Sequence, residues 1–370
     1  MPYYSYLRSD FKDQSQRSFV VNKLIKLKDQ LANQVPSKES ENALLLATWN
    51  IRDFGKLNRR GYGSRTKDSH YYIAEIISAF DIVAVQEVNE LEEWGKVMRI
   101  LGSAYDYIAT DVTDDGIGGN GERLTFVYDK RKVWFKNIAG EIVLPKKLLI
   151  SDSEVTETND DLASGKQFRR TPYVVSFQSS WFKFDICTVH IYYGEGSSGL
   201  RQRILEIGTI AKYLSDRADK ALSKDEKATI LLGDFNIIRP DHKTMQALES
   251  NGFVIPKNIK SRRSNVIETK HYDQIAFKSK QEVIDFIDSK NNSGVFKIFE
   301  SVYQETDDDY NFYKPEVIKS QNGSRLAIDS DNLRKYYSDW KTYQMSDHNL
   351  LWARININKS VEYLQGLINT

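Results

Sequence analysis

Apolar positions change period once along the chain. Phe19, Leu24, Leu27 and Leu31 recur at mostly three- and four-residue steps with Lys and Gln between them, which predicts an amphipathic helix ending before Pro36. SKESEN, residues 37–42, follows as a polar linker. From Leu44 onward the pattern becomes short apolar runs: ALLLATW, DIVAVQ, LTFVYD, YVVSF, FDICTV, TILLGD, YDQIAF and NLLWARINI. Their Val, Ile, Phe and Tyr content predicts strands buried on at least one face. Tyr72 to Phe80 and Leu91 to Leu101 read as helices, and Leu200, Ile204, Ile207, Ala211 and Leu214 trace another helical stripe. Strands interspersed with helices, without repeats, predict one α/β domain. Ser151 to Gln167 and roughly 288–339 read as loop-rich insertions or covers, with Asp307, Asp308 and Asp309 on a solvated loop.

Charge narrows the function only slightly. With 52 Lys+Arg against 51 Asp+Glu the net charge is +1, so no global field draws the chain to a polyanion, and any polyanion site must be a local patch. A chain of 370 residues that is 40% hydrophobic is long enough for a large core, which excludes disorder and collagen. The single cysteine, Cys187, rules out an internal disulfide and a Cys-rich zinc site; within FDICTV it reads as a small buried hydrophobe. The opening MPYYSYLRSDFKDQ lacks a secretory pattern, and no apolar run reaches the ~20 residues of a membrane span. The expectation is a soluble, cytoplasmic protein with no membrane partner.

The chemistry lies in what borders the apolar runs. LLLATW ends in Asn50, IVAVQ in Glu87, FDICTV in His190, and TILLG in Asp234 and Asn236; KHY leads to Asp273, and QMS to Asp347 and His348. Singly, each fits a turn or a helix cap. If the strands share one sheet edge, the side chains converge. Oxygen donors with two imidazoles and no thiolate suit Mg²⁺, with Mn²⁺ able to substitute, acting on a phosphate ester. The imidazoles are then better used for proton transfer and phosphate contact than for metal binding.

In these motifs the chain resembles the endonuclease/exonuclease/phosphatase superfamily, the fold of deoxyribonuclease I. The resemblance rests on TWNIRDFG, VQEV, GNGERLTFVYD, FRRTPYVVSF, TVHIYYG, LLGDFN, YDQIAF and MSDHNLLW, in the family's order from Asn50 to Trp352. It implies an α/β fold in which a two-sheet β-sandwich is flanked by helices, with an N-terminal helix added. Residues 1–42 would be the helical extension and linker, 43–358 the catalytic domain and 359–370 a tail. It further implies metal-dependent hydrolysis of a phosphoester by water. Glu87 and Asn50 would hold the principal metal with Asp347 near it, and Asp234 would orient or deprotonate the water. Asn236 would hydrogen-bond the phosphate or the nucleophile. His348 with Asp273, and His190 with Glu122, would be the two histidine-carboxylate dyads. A His at position 190 rather than a Tyr points to the deoxyribonuclease I side of the superfamily.

Loop composition favours a nucleic acid, and with the resemblance this implies an endonuclease cutting DNA, with RNA possible. After Arg52 runs KLNRRGYGSRTK, where Arg59, Arg60 and Arg65 alternate with Gly and Tyr62; Arg169 and Arg170 add a second basic pair, and Lys257, Lys260, Arg262 and Arg263 a third cluster. Arg52, Arg59, Arg60, Arg65 and Arg170 are the candidate substrate contacts. Asn89 and Asn120 stand where the deoxyribonuclease I pattern has a minor-groove arginine and a stacking tyrosine. The alternative substrate is a small or lipid-linked phosphate of phosphoinositide or sphingomyelin type. A non-catalytic scaffold would have lost ionisable site residues that are all present here. His70 and His242 read as surface or helix-end residues, and His271 as structural.

Overall fold

The computed structural model describes residues 2–38, 41–56, 61–112, 121–145, 149, 167–225, 227–289, 291–320, 327, 330–358 and 360–368. In chain order the elements are α1 (Leu7–Asp10), α2 (Gln14–Gln34), β1 (Ala43–Phe54), α3 (Lys67–Ser78), β2 (Ile82–Val88), α4 (Leu91–Leu101), β3 (Tyr105–Ala109), β4 (Arg123–Asp129) and β5 (Trp134–Glu141). They continue with β6 (Tyr173–Ser179), β7 (Phe182–His190), α5 (Gly196–Asp225), β8 (Ala228–Asp234), α6 (Lys243–Glu249), α7 (Lys257–Lys260), β9 (Asp273–Lys278) and α8 (Gln281–Asp288). The last are β10 (Ser293–Phe296), α9 (Asp307–Lys319), α10 (Asp331–Gln344), β11 (Leu350–Asn356) and α11 (Ser360–Ile368).

Two mixed sheets face each other with helices outside them. One has the order β10-β11-β1-β2-β4-β3, the other β5-β6-β7-β8-β9. Alternation along β1 explains its unbroken apolar run: Leu44 and Leu46 fill the space between the sheets, while Leu45, Ala47 and Trp49 pack under α2, α3, α4 and α10. All eight apolar runs form strands. The three strands that those runs miss, β3, β5 and β10, are sheet edges. β3 and β5 are mostly half-buried or exposed and β10 spans only four residues, so no long apolar stretch announces them.

Helix α2 ends two residues before Pro36, as its periodicity predicts, with Asp13 as N-cap, and buries Val20, Leu24, Leu27 and Leu31 in the same apolar cluster as β1 and α3. The segment 288–339 differs from expectation. Instead of loop it supplies β10, α9 and most of α10. Asp307, Asp308 and Asp309 form the first turn of α9 behind the N-cap Thr306, where the helix dipole favours acids. Asp309 is fully buried and paired with Lys23 of α2. His70 is also a correction: it is buried in α3, its Nδ1 on Thr66 O and its Nε2 3.2 Å from Glu93. His242 caps α6 as expected, and His271 is buried with its amide on Ile237 O. Cys187 is free and buried, and burial pushes its thiol far up. The insertion read at Ser151 to Gln167 lies, up to residue 166, outside the described residues, as do Asn120, Arg59 and Arg60. No described helix is long and apolar enough to cross a membrane.

Candidate active site

Strand direction assembles the site. β1 and β2 run parallel, as do β7 and β8, so Asn50, Glu87, His190 and Asp234 sit at four neighbouring C-terminal ends. Antiparallel β4, β9 and β11 start at the same rim, next to Glu122, Asp273 and His348. In register, His190 lies opposite Asp234, and Asp234 opposite Asp273. Beneath the site the sheets are tied by buried Gln86, whose Nε2 donates to Thr48 Oγ1 on β1 and, at 2.9 Å, to Thr188 Oγ1 on β7. Irregular backbone then aims the side chains. The β1–β2 register shifts between Asn50 and Phe54, and the β2–β4 register between Val85 and Val88. Arg52, Asp53, Glu87 and Asn236 all have positive φ, between 48° and 65°, a costly conformation that persists where the surroundings impose it.

Asn50 is the hub. Its Nδ2 donates to Glu87 Oε1 at 2.9 Å and to Asp234 Oδ2 at 3.1 Å, and its Oδ1 accepts from Arg52 N at 3.0 Å. Asp53 N donates to Glu87 Oε2 at 2.7 Å. Two imidazoles are oriented through Nδ1: His190 bonds Glu122 Oε1 at 2.7 Å, and His348 bonds Asp273 Oδ2 at 2.8 Å. Their Nε2 atoms both turn to Asp234 Oδ2, at 3.6 Å from His190 and 3.8 Å from His348. Arg170 Nε stands 2.7 Å from Glu122 Oε1, so that carboxylate serves a guanidinium and an imidazole together. Ser346 Oγ donates to Asn50 O at 2.5 Å and accepts from His348 N, joining the two motifs from which they come.

The electrostatics follow from burial and crowding. Burial lifts the Glu87 carboxyl, His190 opposes the shift, and Glu122, Asp53 and Asp347 reinforce it. Burial would lower both imidazoles, yet Glu122 and Asp234 leave His190 raised, against Arg170, while Asp273 and Asp234 hold His348 well above its usual value. A site that accumulates this much buried carboxylate suits a cation. Glu87, Glu122 and His190 form one group able to hold a metal, and Asp234, Asp273 and His348 another. The carboxylates of Glu87 and Asp234, with the amide oxygen of Asn50 beside them, are oxygen donors of the kind hard divalent ions take.

The remaining candidates are placed as follows. Asp347 is at the rim, its side chain 45% exposed and 3.5 Å from Arg52 Nη1. Asn236 donates through Nδ2 to Ile191 O and accepts at its own carbonyl from buried Arg203. Arg65, expected to track a substrate backbone, is instead turned inward. Its Nη1 donates to Gln344 O and Met345 O, and its Nη2 to Ile51 O and Arg52 O. Backbone carbonyls left over where β1 and α10 end recruit it. Sequence reasoning missed Gln86, Arg203 and Ser346, which act through hydrogen bonds between segments far apart in sequence. Ser346, directly before Asp347 and His348, was the one with a local signal.

No family model matches the sequence, and no curated protein matches it significantly. Solved structures do match. An endonuclease/exonuclease/phosphatase family protein from Bacteroides thetaiotaomicron aligns at 15% identity and a TM-score of 0.47, covering 85% of this chain and 95% of that one. A mannosyl-6-phosphatase from the same organism aligns at 19% identity and 0.45, over 64% and 85% of the two chains. D. rerio TDP2 in complex with a single-strand DNA product aligns at 12% and 0.46, over 85% and 99%.

Proposed function

We propose that the protein is a metal-dependent phosphoesterase that hydrolyses nucleic acid, acting as an endonuclease on DNA with Mg²⁺ as its ion and Mn²⁺ as a substitute. One observation carries this reading: two carboxylate-oriented imidazoles aim their free nitrogens at one oxygen of Asp234, beside the carboxylates of a hard-cation site. That geometry suits a phosphoryl group flanked by donors, with Asp234 as acceptor for the proton of an attacking water. Glu87 and Asn50 would hold the metal with Asp347 near it; when bound, the ion neutralises charge on the phosphate oxygens. His190 and His348, with raised proton affinity, donate to phosphoryl oxygens or to the departing alkoxide. Arg52 and Arg170 stand ready for the phosphate itself.

A second reading, hydrolysis of a compact phosphate ester, is favoured by the inward Arg65, which removes one of the cations expected to follow a polynucleotide. The experiment that tests both is a panel of plasmid, single-stranded DNA, RNA, inositol phosphates and sphingomyelin with Mg²⁺, Mn²⁺ or EDTA. The nuclease reading expects nicking that EDTA abolishes and Mg²⁺ restores, and that His190→Ala and His348→Ala each reduce roughly a hundredfold. Uncut plasmid at enzyme levels that clear an inositol phosphate would select the second reading. Full activity in EDTA would overturn both.

A further inference from the structure

Helix α10 reaches the site through a column of planar side chains. Arg52 Cζ lies 3.8 Å from the ring centroid of Tyr343, near the end of α10. Tyr343 stacks on Tyr62 at 4.4 Å and 13°, and Tyr62 stacks on Tyr336 at 4.9 Å and 17°. The far end is fixed, since Tyr336 Oη donates to Gly61 O at 2.9 Å and hydrogen-bonds Ser320 at the end of α9. At the near end Arg52 Nη1 donates to Thr342 Oγ1 and stands 3.5 Å from Asp347, while its backbone amide is held by Asn50 Oδ1. Tyr336 and Tyr343 are buried, yet the Arg52 side chain remains 22% exposed.

We propose that α10 is a working wall of this site, and that Tyr343, backed by Tyr62 and Tyr336, is the positioning residue that holds the Arg52 guanidinium over its ring, beside Asp347, to take a non-bridging oxygen of the substrate phosphate. The proposal rests on the phosphoesterase reading above. A guanidinium lying flat on a ring keeps its edge donors in one plane and directs them away from the ring, which suits a tetrahedral oxyanion. An unbraced arginine spreads the same donors over many rotamers. Lysine at position 52 could neither stack nor present a fork.

The test replaces the ring with a non-aromatic apolar side chain. Tyr343→Leu should raise KM for the best phosphoester roughly tenfold, the scale of a desolvated cation–π contact, with kcat within about twofold. Tyr343→Phe should recover the wild-type KM, because the ring and not the hydroxyl is needed. In an Arg52→Ala background Tyr343→Leu should add nothing. A readout without turnover is the Arg52 Nε–H resonance. It should be sharp in wild type and Tyr343→Phe, broadened in Tyr343→Leu, and moved by inorganic phosphate. An unchanged KM in folded Tyr343→Leu, additivity with Arg52→Ala, or a resonance indifferent to the ring or to phosphate would overturn the proposal. A Tyr343→Leu chain that fails to fold leaves the decision to wild type and Tyr343→Phe, where a resonance unmoved by phosphate overturns it. Absent turnover on every ester, with the phosphate-sensitive resonance intact, would remove the phosphoesterase reading and keep the Arg52 assignment.

Discussion

At the scale of single residues, one arginine shows why composition misleads near a site. Arg65 shares its loop with Arg59 and Arg60, and its type and spacing suit a phosphate contact. In the fold its guanidinium serves carbonyls from Ile51, Arg52, Gln344 and Met345 and lies over the Phe54 ring. Removing it orphans several buried acceptors at the junction of β1 and α10, each costing about 1–3 kcal/mol when left unsatisfied. Arg65→Ala should therefore lower the thermal midpoint by several degrees, while the salt dependence of DNA binding keeps its wild-type slope. Unchanged stability with a flatter salt slope would return Arg65 to the substrate. The catalytic candidates were legible for the opposite reason. Asn50, Glu87, His190, Asp234, Asp273 and His348 each interrupt or border an apolar run, where a polar residue has no packing purpose.

Elements explain how these interruptions meet. Eight apolar runs were readable because their strands are buried in sheet interiors or against helices, whereas β3, β5 and β10 lie at edges and carry mixed sequence. Helices α9 and α10 do not announce themselves in the sequence because their buried residues are mainly Tyr, Trp and Asp; in α9, Tyr310 and Tyr313 pack beside buried Asp309, and in α10 Tyr336, Tyr337 and Trp340 do the packing. Tyrosine-rich faces give a weak hydropathy signal although they bury large area. The joint between β7 and β8 leaves no room for a side chain. Gly233 has φ +133°, and a Cβ there would lie 2.1 Å from Val189 O, a backbone atom of the neighbouring strand that cannot yield as a side chain end would. Gly233→Ala should destabilise the protein by more than about 2 kcal/mol, by strain and by parting the strands that carry His190 and Asp234. Denaturant unfolding checks it, and a variant with wild-type midpoint and activity would show that the β7–β8 spacing is not what sets the site.

For the whole molecule, the near-zero net charge hides unequal use of acids. At the site, carboxylates are crowded together, and Glu87 and Asp273 are raised by burial. Others are matched with bases. Glu93 is pulled down to about 2, chiefly by its hydrogen bond to His70 and then by Lys96. Burial would raise Asp129, but the forked Arg131 contact and Lys38 bring it to about 2 as well. Both groups have folded values below their ordinary 4.5 and 3.8. Their contribution to stability is therefore complete above the ordinary values and is lost as pH falls through the folded ones. Raised carboxyls have the reverse sign: relative to an unfolded chain they favour the fold more in acid, so the site carboxyls resist acid while these two pairs give way. Wild type should lose stability between about pH 4.5 and pH 2, a window set by these two depressed values. The double variant Glu93→Gln/Asp129→Asn should start lower at pH 7 and fall less steeply across that window. The pairs are separate, since Glu93 meets α3 through His70 and Asp129 meets the segment before β1 through Lys38, so the two effects should add. Urea titrations at pH 7, 5 and 3 measure both slopes, and parallel curves for wild type and variant would show that acid sensitivity resides elsewhere in the chain.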